Sequence, residues 1–316
     1  MSESKRRPLI GETRTAESPI ESLLCNLRAV GYGVLKDPHV NGLRMELHST
    51  WRQFGALPQA EKDLYRTPSL QGYFTPYPGL HEVFEHKHAR RDPALRLPPL
   101  LEKSVEAMYT QLEATALRVF RAIGEDLGTP MTAWEGLLDD STFRMLHFDR
   151  LSVPPAEMPR LDANVLRTVQ SHYPAHCDSA LMTVAPKASL AALDLRRFDS
   201  LEWDRFEARM DNDDLLVFVG DTMARLTNNY YPALLHRPTV EPMLPSDLSR
   251  ISTPFFLRAR PDALLDASMC DLAKVGPLQK ECETPIVVEA INDNIGGARE
   301  NLPWKVSPYY LDGRSR

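Results

Sequence analysis

One short stretch constrains this chain more than any other. His176-Cys177-Asp178 runs almost directly into an apolar segment, Ala180-Leu181-Met182-Thr183-Val184. On an extended strand, residues i and i+2 face the same way. The His176 imidazole and the Asp178 carboxylate are therefore expected to converge on one point, with Cys177 turned away. A second imidazole is available in Leu234-Leu235-His236-Arg237-Pro238, sixty residues on. Two imidazoles and one carboxylate on one face of a metal leave the opposite positions open, the donor set of a non-haem Fe(II) site. Zinc with a bound water would accept the same donors.

A second feature follows His236. Ser249 to Phe256 reads as another strand, with Arg250 and Ser252 on one face. An Arg fork holds a carboxylate bidentately, and a neighbouring hydroxyl can donate to the same group. A metal triad followed by a carboxylate anchor describes an enzyme that binds an acid beside iron.

The order of these pieces resembles the isopenicillin N synthase-like branch of the Fe(II)/2-oxoglutarate-dependent dioxygenases. His176-Cys177-Asp178, Val219-Gly220-Asp221, Thr227-Asn228, His236-Arg237, Arg250-Ile251-Ser252 and Phe255-Phe256 follow the family's sequence of motifs. Upstream, Gly31-Tyr32-Gly33-Val34-Leu35, Leu57-Pro58 with Glu61-Lys62, and Gly72-Tyr73 extend the likeness over most of the chain. The resemblance implies a distorted double-stranded β-helix, or jelly roll, flanked by N-terminal helices in a mixed α/β (α+β) fold. It implies His176, Asp178 and His236 as ligands of Fe(II), with Arg250 and Ser252 holding 2-oxoglutarate as cosubstrate. It implies an oxidoreductase using O2 to hydroxylate, desaturate or cyclise a small molecule, in secondary metabolism by the family's habits. No catalytic residue beyond the metal ligands is implied. Many members carry a Tyr before the metal loop that helps hold 2-oxoglutarate; Phe148 stands there. That departure keeps open an alternative, an iron oxidase of the same fold that uses no 2-oxoglutarate and grips its substrate's carboxylate with Arg250. A rival dyad, His147-Phe148-Asp149, falls on the strand before the metal loop, where the family has no ligand.

Composition narrows the remaining classes. Charged residues are 25% and apolar ones 43% of 316, an ordinary globular balance. A net charge of −6 argues against nucleic acid, which calls for a basic stripe. Four cysteines without CxxC spacing suit free thiols in the cytoplasm rather than a disulfide scaffold. Neither a signal-peptide pattern nor an apolar run long enough to span a membrane is present. The expected partner is a small-molecule substrate, with no nucleic acid and no membrane.

In chain order, apolar spacing predicts helices over residues 19–30, 42–54 and 101–127. Residues 66–100, rich in Pro, Gly, His and Arg, read as loop with short strands. Pro8-Leu9-Ile10 is a candidate first strand. After Ser141 the pattern changes to short strands over residues 143–148, 180–185, 190–193, 215–219, 234–237 and 251–257. Residues 154–170 read as a surface excursion, and residues 285–316 as a tail opening on a strand. Helices over 1–140 are expected to pack on a jelly-roll core over 141–316, forming one composite domain. Tyr73, His86 and Phe148 are expected on the substrate side. His81, Glu85, His86 and His88 cluster in sequence, as a substrate-side loop or a second metal site. Thr227 and Asn228 are candidates to orient the iron ligands, and Asp221 reads as a turn residue.

Overall fold

The computed structural model describes residues 18–69, 71–77, 81–148, 175–238 and 250–288. The expected strand at residues 8–10 and the excursion at 154–170 lie outside them, as does most of the tail. Helix α1 (Pro19–Ala29) starts on a capping box, in which Ser18 and Glu21 satisfy each other's backbone N–H. It stops where Gly31 takes a positive φ of 102°. Helix α2 (Val40–Gly55) buries Leu47, Trp51 and Phe54. After the short α3 (Gln59–Lys62), helix α4 (Pro99–Asp126) runs for 28 residues and buries a stripe from Leu101 to Ile123. Pro99 fits its first turn, where a missing N–H costs nothing. Gly128 at φ 63° follows its end, before the one-turn α5 (Met131–Glu135).

The strands are β1 (Tyr32–Lys36), β2 (Gly72–Tyr77), β3 (His81–His86), β4 (Thr142–Phe148), β5 (Met182–Pro186), β6 (Leu193–Arg196), β7 (Trp203–Asp204), β8 (Asp214–Val219), β9 (His236–Pro238), β10 (Arg250–Ser252) and β11 (Phe255–Leu257). Eight of them form one antiparallel sheet in the order β1-β8-β5-β11-β4-β3-β2, with β10 also on β4. A three-stranded sheet, β7-β6-β9, faces it. This is the expected mixed α/β architecture, a jelly-roll core with helices on one side.

The two faces of the large sheet bury different things. On the helix side, one core joins Leu23, Trp51 and Phe120 of the helices to Val184, Val217 and Phe255 of the strands. Between the sheets, Tyr32, Leu216 and Phe218 pack with Leu195 and Leu234. Period-two alternation along each strand sorts residues between these faces.

Several expected strand boundaries shift. Residues 251–257 form two strands, because Pro254 has no N–H for the ladder and its carbonyl instead accepts from Arg144 N at 3.0 Å. The strand placed at 190–193 begins only at Leu193. Residues 66–100 hold two six-residue strands, a hairpin that adds β3 to β4. The Pro and Gly content of the flanking residues masked the full length of the strand His81–His86.

Candidate metal and carboxylate site

His176, Cys177 and Asp178 lie in a loop, and β5 begins only at Met182. Strand alternation is therefore not what brings the pair together. His176 instead forms an isolated antiparallel bridge with His236, the first residue of β9. Each backbone N–H donates to the other's carbonyl at 2.9 Å. The bridge fixes two histidines directly opposite one another, with ring centroids 4.4 Å apart. Asp178 Oδ1 lies 3.8 Å from His176 Nε2 and 3.7 Å from His236 Nε2. One ligand atom from each of the three residues falls within a 4.8 Å group, and among the described residues no other His, Cys, Asp or Glu joins it.

Each donor is held ready. His236 Nδ1 is 3.1 Å from the Leu234 carbonyl. A carbonyl only accepts, so Nδ1 carries the proton and Nε2 keeps a free lone pair. Asp178 Oδ2 accepts from the Thr183 hydroxyl at 2.5 Å, which leaves Oδ1 toward the imidazoles. Burial alone would raise the Asp178 pKa. His236, His176, the Thr183 bond and Arg258 outweigh it and hold the carboxyl below the ordinary carboxylate range. Two imidazole nitrogens and one ionised carboxylate oxygen, with no fourth protein donor among the described residues, fit Fe(II) with open positions.

The end of β8 ties the loops together. Val219 O accepts from Leu234 N at 3.0 Å, Gly220 N donates to Leu181 O at 3.2 Å, and Asp221 N donates to Asp178 O at 2.7 Å. A Cβ on Gly220 would stand 2.3 Å from Ala180 O and 2.5 Å from Asp178 O. Only glycine allows this approach. Asp221 opens helix α6 (Asp221–Leu226), so it is a helix-start residue rather than a plain turn. Among the described residues, Asn228 bonds to none of the three candidate ligands. Its side-chain nitrogen donates to Val275 O and Pro277 O, anchoring the segment after the core, and the Thr227 hydroxyl donates to Met223 O.

Arg250 and Ser252 do share a face, and Arg250 Nη1 donates to Ser252 Oγ at 2.7 Å. The fork has a further partner that the motif does not announce. Arg250 Nη2 donates to Glu207 at 3.0 and 3.2 Å, and both residues are buried. Glu207 also accepts from the backbone of Ala192 and Leu193, at 2.8 and 3.1 Å. Arg250 Nε is buried with no hydrogen-bond partner among the described residues. Strand β6 links this pair to the histidines. Leu193 N reaches Glu207, while Leu195, two residues or roughly 7 Å along, pairs with His236.

A row across the large sheet defines the site's face. Phe256 is opposite Thr183, and Thr183 is opposite Phe218, whose ring lies 4.9 Å from the His236 ring. Directly opposed residues share a face. Thr142 is opposite Phe256, so Arg144 falls on this face with Glu85, its own partner across the strands. Ser252 and Arg250 pair with Leu146 and Phe148 in the same register, and Phe148 stands next to the carboxylate anchor by its backbone.

Tyr73 and His86 are not on that face. Tyr73 is opposite Phe84 and its ring packs edge-on to Phe54 of α2 at 5.6 Å, in the helix-side core. His86 is fully buried with its ring 5.7 Å from Tyr109 of α4. Of the His-rich stretch, His86 and His88 meet at Glu106 of α4, with His86 Nε2 3.0 Å from Oε1 and His88 Nε2 2.6 Å from Oε2. His81 and Glu85 are not part of that group. Sequence reasoning missed Thr183 and Glu207. The one hydroxyl in an apolar strand was a usable signal for Thr183, but nothing local marks Glu207.

No family model matches the chain. Gibberellin 20 oxidase 1-A from Triticum aestivum is 25% identical over 238 residues, 67% of this chain and 60% of that protein. Flavonol synthase/flavanone 3-hydroxylase from Eustoma exaltatum subsp. russellianum is 24% identical over 258 residues, 76% of this chain and 68% of that protein. The chain thus spans about 60% of the length of the wheat relative it matches. A 2OG-Fe(II) oxygenase family protein from Caulobacter crescentus superposes with a TM-score of 0.69 at 19% identity, covering 89% of this chain and 94% of the other. A full-length Neurospora crassa protein solved with alpha-KG superposes with a TM-score of 0.69 at 18% identity, covering 88% and 89%. The chain has the fold of the 2-oxoglutarate–Fe(II) oxygenases, and it carries the ordered motifs of their isopenicillin N synthase-like branch.

Proposed function

We propose that the protein is an Fe(II)- and 2-oxoglutarate-dependent dioxygenase that oxidises a small-molecule substrate by hydroxylation, desaturation or cyclisation. The observation that carries this is the convergence of His176, Asp178 and His236 on one point, on the same sheet face as the Arg250–Ser252 pair. In this reading His176 Nε2, Asp178 Oδ1 and His236 Nε2 hold the iron. Fe(II) chelated by 2-oxoglutarate supplies O2 activation coupled to loss of CO2 and formation of succinate. The chain's own part is positional. Thr183 and the Leu234 carbonyl keep the ligand atoms aimed, and Arg250 with Ser252 binds the far carboxylate of the keto acid. Phe218 and Phe256 line the face beside the ligands and keep it dry. Phe148 has no hydroxyl to offer the cosubstrate, so this reading assigns that contact to Ser252 and Arg250.

The solved relative with alpha-KG supports a keto-acid cosubstrate over the oxidase alternative, in which Arg250 would hold the substrate. Secondary metabolism is the setting suggested by the plant relatives. No helix of the described residues is long and apolar enough to cross a membrane, and none of the four cysteines is in a disulfide, which suits a reducing cytoplasm. The test is anaerobic addition of 2-oxoglutarate to the Fe(II)-loaded protein. A visible charge-transfer band, lost in His176→Ala and weakened in Arg250→Ala, is expected, with succinate released once O2 and substrate are supplied. Turnover that proceeds without 2-oxoglutarate would overturn the proposal in favour of the oxidase.

A further inference from the structure

Two arginines flank the Phe256 ring on the metal face. The Arg144 guanidinium carbon lies 5.3 Å from the ring centroid and that of Arg258 lies 5.4 Å from it. Phe256 is opposite Thr183, the residue that holds Asp178, so the pair sits one strand from the metal ligands. The two arginines are not equivalent. Arg144 donates to Glu85 at 3.0 and 2.5 Å. Arg258 has no carboxylate within ion-pair distance among the described residues, and its Nε is buried without a hydrogen-bond partner. Its neighbours by charge are Arg144, Glu85, Asp140 and Asp178. Of these, Glu85 is taken by Arg144, Asp140 by Lys87 at 2.8 Å, and Asp178 by the metal site. Among the described residues Arg258 is left without a matching anion and is partly withdrawn from water, and burying a charge is costly unless something pairs with it.

Resting on the reading of the site as an iron- and keto-acid-dependent oxygenase, we propose that Arg258, with Arg144 across the Phe256 ring, binds a carboxylate group of the substrate. Arg250 does not serve this purpose. It pairs with Phe148 at one end of β4, whereas Phe256 pairs with Thr142 at the other end. Six residues of strand separate the two levels, about 20 Å. The cosubstrate anchor and the substrate anchor thus lie at different levels of the sheet. A single unmatched charge suits a carboxylate better than a phosphate monoester, which carries about −1.5 to −2 at neutral pH. The planar fork matches a carboxylate bidentately. The Phe256 ring beside the guanidiniums offers an apolar surface on which the carbon next to the carboxylate can lie.

The test uses the full chain loaded with Fe(II) and saturating 2-oxoglutarate, kept anaerobic, so that Arg250 is already engaged. Phenylacetate and hexanoate are each compared with their amides, phenylacetamide and hexanamide, by calorimetry and by perturbation of the charge-transfer band. The acids are expected to bind at least tenfold more tightly than their amides, and Arg258→Gln is expected to abolish that preference. Glu85→Gln removes the competing anion and is expected to tighten acid binding, an effect of opposite sign that a folding defect does not mimic. Amides binding as well as acids, no acid binding at all, or a preference that survives Arg258→Gln overturns the proposal. Formation of the band with 2-oxoglutarate alone reports on the site itself. A band without acid preference sinks only this inference; no band sinks the reading beneath it.

Discussion

Replacing Glu207 by Gln tests how the carboxylate anchor is built. Glu207 and Arg250 are both buried, and the carboxylate accepts from Arg250 Nη2 at 3.0 and 3.2 Å. Glutamine keeps the shape and one acceptor for the Ala192 and Leu193 amides, but removes the charge. Breaking one side of a buried ion pair costs about 3–5 kcal/mol. At a few degrees per kcal/mol for a chain of this size, the melting temperature should fall by roughly 10 °C. The same change should help the cosubstrate. A ligand carboxylate on the free edge of the Arg250 fork would lie on the order of 6 Å from Glu207. At an effective dielectric of about 20, their repulsion is about 3 kcal/mol. Removing it corresponds to 2-oxoglutarate binding on the order of 100-fold more tightly. Saturating 2-oxoglutarate should therefore raise the melting temperature of Glu207→Gln by more than it raises that of the native protein. The assay is thermal unfolding with and without 2-oxoglutarate, with calorimetry for affinity. An equal or smaller ligand shift in Glu207→Gln would show that Glu207 does not oppose a carboxylate at Arg250. Arg250→Met alone should be the worst case, because it strands a buried carboxylate, and the double variant should recover part of the loss.

Three further outcomes follow from the geometry. Gly220→Ala places a methyl against the Ala180 and Asp178 carbonyls, neither of which can swing away; it should cost about 1–3 kcal/mol and lower bound iron measured by metal analysis, and full iron content would refute the clamp. Thr183→Val keeps the shape but removes the 2.5 Å bond to Asp178; iron affinity should fall roughly 10–100-fold with little change in melting temperature, and unchanged affinity would refute its role. His48 and His86 are buried, and burial, the largest cause for each, pushes their pKa down to about 3 and about 4. Both stay neutral in the fold, whereas unfolded histidines take up protons below about 6.5. Stability is therefore full above that value and falls as pH drops from 6.5 toward 4, by about 2 kcal/mol per histidine at pH 5. Urea unfolding at pH 7 and pH 5 checks this, and a His48→Gln variant should lose one proton's share of the slope; an equal slope would refute the assignment.

How much of this was legible in the sequence depends on whether the information is local. Helix α4 is marked by its own residues, with Pro99 at the start, Gly128 past the end and a period of three and four between them. Its limits could be read to within two residues. The hairpin β2–β3 is marked instead by its neighbour. Its strands exist because β4 offers an edge, and Glu85 is placed by Arg144, fifty-nine residues away. Residue content alone read it as loop with short strands, and Tyr73 and His86, expected on the substrate side, pack instead against the helices. A single-residue error in face assignment moves every side chain of a strand.

The candidate metal ligands show the same division more sharply. Their identity was local, in His176, Asp178 and His236, but the reason they meet was not. An H-x-D on a strand would point both side chains one way by pleating alone, and this loop is not a strand. Convergence comes from the paired backbones of His176 and His236 and from the end of β8. There Val219, Gly220 and Asp221 hold Leu234, Leu181 and Asp178 in place. The glycine is thus as much a part of the site as the ligands, since its missing Cβ sets how closely the Asp178 loop can approach. Glu207 marks the other limit. It lies forty-three residues before Arg250 in a short helical turn, Phe206–Arg209, with no periodicity or motif to single it out. Only the buried pair reveals that the anchor's charge is already balanced before any ligand arrives. An anchor balanced in this way binds a carboxylate by exchanging one anion for another or by sharing the fork between two. Its affinity is then set by the residue that the motif leaves out.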